Sequence, residues 1–120
     1  MARVLALVPD LLFGSKVTAL LAAAGHDVEL VSGETEVWDQ IGGTDVLVVD
    51  LTTDSLDGIG LLDTLKTGGE MHGVRSLAFY SHVEADVRKR ALDAGFDQVV
   101  PRSRMAREGG ALVTHLAGSA

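Results

Sequence analysis

The sequence predicts a doubly wound α/β domain: a parallel sheet covered by helices on both faces. Two observations predict it. Short apolar runs without polar alternation recur along the chain, as strands buried on both faces require. Between them lie segments with apolar residues at helical spacing, most of them stopped by glycine. The chain has 120 residues, 47% of them hydrophobic. That is the length and composition of one globular domain.

The elements follow in order. "ARVLALV" (2–8) reads as a doubly covered strand. Residues 12–24 read as a helix with Phe13, Val17, Leu20, Leu21 and Ala24 inward, and Gly25 ends it. "DVELV" (27–31) is the second strand. Residues 34–41 form a short helix with Ser32 as cap and Gly42–Gly43 as its end. "DVLVV" (45–49) is the third and most apolar strand. A helix at 57–67 turns Ile59, Leu61, Leu62 and Leu65 inward and stops at Gly68–Gly69, with Asp54 as a cap or turn former before it. "VRSLAFY" (74–80) is the fourth strand. The helix at 83–94 directs Val87, Ala91 and Ala94 inward, and Ser81 and Glu84 have capping-box spacing before it. "QVV" (98–100) is the fifth strand. The last helix, about 104–117, buries Met105, Leu112, Val113 and Leu116. Gly109 and Gly110 each cost it about 1 kcal/mol against alanine, which predicts an irregular first half. The expected domain spans 1–120, with 116–120 as a loose tail.

Composition excludes several chemistries. There is no cysteine, hence no disulfide, thiolate metal site or thiol nucleophile. His26, His72, His82 and His115 lack zinc-type spacing. No apolar run is long enough to span a bilayer and no signal peptide is visible, so the expected location is cytoplasmic, with no membrane partner. The net charge of −7 argues against nonspecific nucleic-acid binding. The charge is uneven: residues 1–74 carry three basic and twelve acidic side chains, residues 75–120 seven and five. No Ser–His–acid arrangement stands in a plausible order, and an enzyme is not expected.

In doubly wound sheets the functional crevice lies beyond the carboxyl ends of the strands. Four residues are expected to converge there from separate loops: Asp10, Asp50, Ser81 and Arg102. With these residues and spacings, nearly the whole chain resembles the receiver domains of response regulators, the phosphoacceptor modules of two-component signalling. The resemblance implies a flavodoxin-like sheet in order 2-1-3-4-5. It makes Asp50 the equivalent of the phosphorylated aspartate and Ser81 the equivalent of the switch hydroxyl. Arg102, seven residues beyond Gly95, stands where the family has a lysine. Asp57–Gly58 match the family's acid or amide followed by glycine.

The departures from that pattern point to a degenerate receiver. The family places two adjacent acids after the first strand to hold a divalent cation; here Val8 and Pro9 occupy those places, and Asp10 comes one step late. Val99 replaces a frequent aromatic residue, and Asp54 a usual proline. Phosphoryl transfer to a carboxylate needs its charge neutralised, commonly by magnesium on hard oxygen ligands. Asp50 and Asp10 offer a weak magnesium site at best, and no cofactor is expected. Two placements of Arg102 remain open: paired with Asp50 as a forked ion pair, or turned to solvent with Arg104 and Arg107.

The expected function is an atypical single-domain signalling module acting through protein contact. The partner class is a kinase, an output protein or a second copy. The resemblance implies a homodimer surface on the fourth helix, fifth strand and fifth helix, where Arg88, Arg104 and Arg107 offer a basic patch. The alternatives are a working phosphoacceptor at Asp50 and a small-molecule-binding flavodoxin-like module. The second has little local support. Gly14 and Ser15 come too late for a flavin phosphate loop, no G-x-G-x-x-G follows the first strand, and no loop histidine for cobalamin stands near Asp10. His82 at the crevice rim is a candidate proton switch. Trp38 is expected to cover the sheet edge.

Overall fold

The computed structural model describes residues 1–81 and 83–118. Ten elements alternate: β1 (Arg3–Leu7), α1 (Leu11–Ala23), β2 (Asp27–Val31), α2 (Glu34–Gln40), β3 (Val46–Asp50), α3 (Gly58–Thr67), β4 (Arg75–Tyr80), α4 (Ala85–Ala94), β5 (Gln98–Pro101) and α5 (Arg102–Ala117). The strands form one parallel sheet in the order β2-β1-β3-β4-β5. This is the doubly wound, flavodoxin-like architecture that the apolar runs and the resemblance implied.

Side chains along each strand alternate between two cores. Val4, Ala6, Val46, Val48, Leu77 and Phe79 pack under α1 and α5. Leu5, Leu7, Leu47, Val49, Ala78 and Tyr80 pack under α2, α3 and α4. Every residue of β3 is buried, which explains its unbroken apolar run. The same alternation turns Asp50, the last residue of β3, toward the α1/α5 side.

Several local expectations are corrected. The α5 helix runs unbroken from Arg102 to Ala117, and Gly109 is buried. A Cβ on Gly109 would come within 2.8 Å of Leu20 Cδ1, and one on Gly110 within 3.0 Å of the Ala24 Cβ. The two glycines therefore let α1 approach α5, and packing outweighs their low helix propensity. Leu116 is buried, so the helix extends into the segment expected to be a loose tail. Ser81 does not cap α4. That helix starts at Ala85 with Glu84 at its cap and no side-chain cap bond. The Glu84 N–H donates to the Ser81 carbonyl at 2.9 Å, closing a turn instead. Ser32 does not cap α2 either; Gly33 is the cap residue, and Ser32 bonds Glu36 Oε1 through its N–H and its hydroxyl. Trp38 is exposed at 38%, with its ring beside Gly68 at the end of α3. Ala24, at the end of α1, is exposed.

Candidate functional site

The carboxyl ends of β1, β3, β4 and β5 meet at one rim. A cleft of about 510 Å³ opens there, lined by Phe13, Thr52, Tyr80, Ser81, Arg102 and Ser103. The fold thus gathers Ser81 and Arg102 at the expected place. A second opening of about 590 Å³ lies at the amino ends of β3, β4 and β5, beside Lys66, His72, Arg75 and Asp97. It shares none of these groups.

Asp50 is almost fully buried, at 2% exposure. Its Oδ1 accepts two hydrogen bonds from Thr52: from the N–H at 2.7 Å and from the hydroxyl at 2.6 Å. This is an Asx-type turn that engages one carboxylate oxygen within its own loop. The sequence signal was an acid followed two residues later by a threonine, and the sequence reading missed it. Asp57, not Asp54, caps α3 by accepting from the Gly60 N–H at 2.9 Å. Asp54 sits in the exposed turn before it.

Asp10 is the N-cap of α1. Its Oδ1 accepts from the Leu12 N–H at 3.0 Å and from the Phe13 N–H at 3.4 Å. Its Oδ2 faces Arg102 Nη2 at 3.5 Å, in a half-exposed pair. The Arg102 guanidinium also lies 4.0 Å over the Phe13 ring centroid. Phe13 in turn packs on Phe79, with centroids 5.1 Å apart and planes tilted by 58°. Arg102 is therefore fixed from two sides, by a carboxylate and by an aromatic face. Neither open placement holds: its partner is Asp10, not Asp50, and it does not stand free in solvent. The geometry is monodentate and solvent-screened, so this pair contributes little stability, about 0–1 kcal/mol.

The positions where the resemblance would place metal ligands are filled otherwise. Val8 is buried at 1% exposure in the core under α1. Pro9 has no polar side-chain atom. Asp10 is committed to the helix cap and to Arg102. Among the described residues no three His, Cys, Asp or Glu side chains gather into a possible metal site. The donor set does not fit magnesium, which favours carboxylate oxygens free to coordinate it.

On the expected interaction surface the arginines are mostly paired locally. Arg104 and Arg107 both face Glu108 Oε2 at 3.5 Å. Lys89 pairs with Asp93, and Arg90 with Asp86. Arg88 is exposed and has no ion pair among the described residues. The apolar side chains of Leu11, Leu12 and Val83 are exposed at 75%, 87% and 77%, in loops or a helix start on the same rim as the cleft. His82, the candidate proton switch, lies outside the described residues. No described helix is long and apolar enough to cross a membrane.

No protein-family model matches the chain, and no curated protein matches it by sequence. Solved structures do. The receiver domain of the Francisella response regulator 1452 is 19% identical, with 98% of this chain and 97% of that one covered and a TM-score of 0.83. A response regulator receiver domain protein from Clostridium thermocellum is 17% identical, with 98% and 94% covered and a TM-score of 0.83. The chemotaxis response regulator CheY4 of Vibrio cholerae is 15% identical, with 97% and 98% covered and a TM-score of 0.82. The fold is that of receiver domains, matched over almost the full length of both partners. At these identities the likeness is one of fold.

Proposed function

We propose that this chain is a receiver-like signalling module that works through protein–protein contact and has lost metal-dependent aspartyl phosphorylation. One observation carries the reading: the only acid in the loop after β1, Asp10, caps α1 with one oxygen and faces Arg102 with the other. Acyl phosphate formation brings an anionic phosphoryl group onto an anionic acceptor, and its transition state needs a cation close by. Here the ligands are missing, Val8 is a core residue, and the acceptor Asp50 is buried and already bonded to Thr52.

On this reading the protein is not an enzyme, needs no resident cofactor and works in the cytoplasm. Its partner is another protein: a kinase, an output protein or a second copy. The proposed contact surface is α4, β5 and α5. Arg88 is an exposed cation there with no ion pair among the described residues, while Arg104 and Arg107 share Glu108.

The test is incubation with acetyl phosphate and magnesium, and separately with beryllofluoride and magnesium. Intact mass and amide NMR shifts around Asp50 are the readouts. The expected result is no gain of a phosphoryl group and no shift at Asp50 or Thr52. A stable acyl phosphate on Asp50 would overturn the proposal.

A further inference from the structure

His26 is a buried imidazole, 9% exposed, with both ring nitrogens engaged. The Ala2 N–H donates to Nδ1 at 3.1 Å. Nε2 lies 2.8 Å from Thr114 Oγ1. That hydroxyl donates onward to the Gly110 carbonyl at 2.9 Å. A backbone amide only donates, so Nδ1 must present a lone pair. The ring proton of the neutral form therefore sits on Nε2 and points at Thr114. The relay runs one way, from Ala2 through His26 and Thr114 to Gly110.

This ring joins three separate parts of the chain: the start of β1, the turn between α1 and β2, and the second half of α5. The surrounding backbone is tied as well. The Asp27 N–H donates to the Ala2 carbonyl at 2.9 Å, and the His26 N–H to Leu21 O at 3.1 Å. The relay has no place for a second ring proton. A proton on Nδ1 would face the Ala2 N–H, donor against donor.

We propose that His26 is a proton-sensitive staple, which in its neutral form holds the start of β1 to α5 and on protonation releases that end of the sheet. Among the described residues no carboxylate bonds the ring. On β1 the neighbouring charge is Arg3, whose N–H is held by Asp45 Oδ2 at 2.8 Å. The Met1 amino group precedes Ala2. On β2 the nearest charge in sequence is Asp27, which is exposed. The only charge on α1 is Lys16, in the first half of that helix. On α5, His115 adjoins Thr114 and has a contact of its own, and Glu108 is taken up by Arg104 and Arg107. The tie is complete while the ring is neutral. A proton on Nδ1 breaks it, because the Ala2 N–H then has no lone pair to donate to.

Nitrogen-15 NMR of the histidine rings in the intact chain tests the first part, and the expected result at neutral pH is an Nε2–H ring for His26. Amide exchange, corrected for its intrinsic pH dependence, tests the second. Protection of the Ala2 amide should fall about tenfold between the pH at which the nitrogen-15 shifts show the His26 ring neutral and the pH at which they show it protonated. His26→Asn keeps an acceptor for Ala2 but does not titrate, so its protection should stay flat. An Nδ1–H ring in the wild type overturns the proposal and requires no variant. An equal loss of protection in His26→Asn overturns it too.

Discussion

Gly58→Ala puts one methyl group where α3 meets β3. A Cβ at Gly58 would lie 2.6 Å from Val49 Cγ1 and 2.6 Å from Leu51 Cδ2. Val49 is fully buried on a central strand and its branched side chain has few ways to turn. The first turn of α3 must therefore move away from the strand. Overpacking of this kind costs about 1–3 kcal/mol. Replacing glycine in a helix returns at most about 1 kcal/mol, and less at its first position. The net expectation is a loss of about 1–2 kcal/mol, or roughly 4–8 °C in Tm for a domain of this size. Gly42→Ala is the control: its Cβ would meet nothing within 4 Å, and its φ is not positive. It should leave stability within about 0.5 kcal/mol. Thermal and urea unfolding followed by circular dichroism measure both. If Gly58→Ala matched the wild type, close approach would not be the reason for that glycine.

Two further outcomes follow from the rim. Asp10→Asn should keep the helix cap, because asparagine caps as well as aspartate, and should lose only the Arg102 pair; Asp10→Ala should lose both and fall lower by about 1 kcal/mol. Urea midpoints at low and high salt separate the two terms, since only the ion pair is screened. Thr52→Val should remove one of the two donors to Asp50 at nearly constant volume and destabilise by about 1–3 kcal/mol, again read from urea unfolding.

The elements were legible because a doubly covered strand has no polar face to interrupt it, and "DVLVV" shows this best. Helix ends were legible where glycine stops a helix, as at Gly25, Gly68 and Gly95. Contacts between distant segments were not. The partner of Arg102 lies 92 positions away, and nothing local to "PRSR" points to Asp10 or Phe13. Gly109 and Gly110 misled for a related reason: propensity counts against them, while their use lies in α1. His26 followed the same pattern. Its relay needs Ala2 and Thr114, which meet only when the sheet is closed. Thr52 was the exception, a partner two residues from Asp50 that spacing alone could have suggested.

The two margins of the sheet bear on how copies of the chain can meet. The outer strand β2 exposes Asp27 and Glu29 alternately with half-buried residues. At the other margin β5 has four residues and ends in Pro101, which has no N–H to offer. Both devices discourage a sister strand from docking onto the open backbone and templating a growing ribbon. A dimer built on the β5 side would therefore be held by side chains, and its specificity would be tunable by single substitutions there without inviting fibrils.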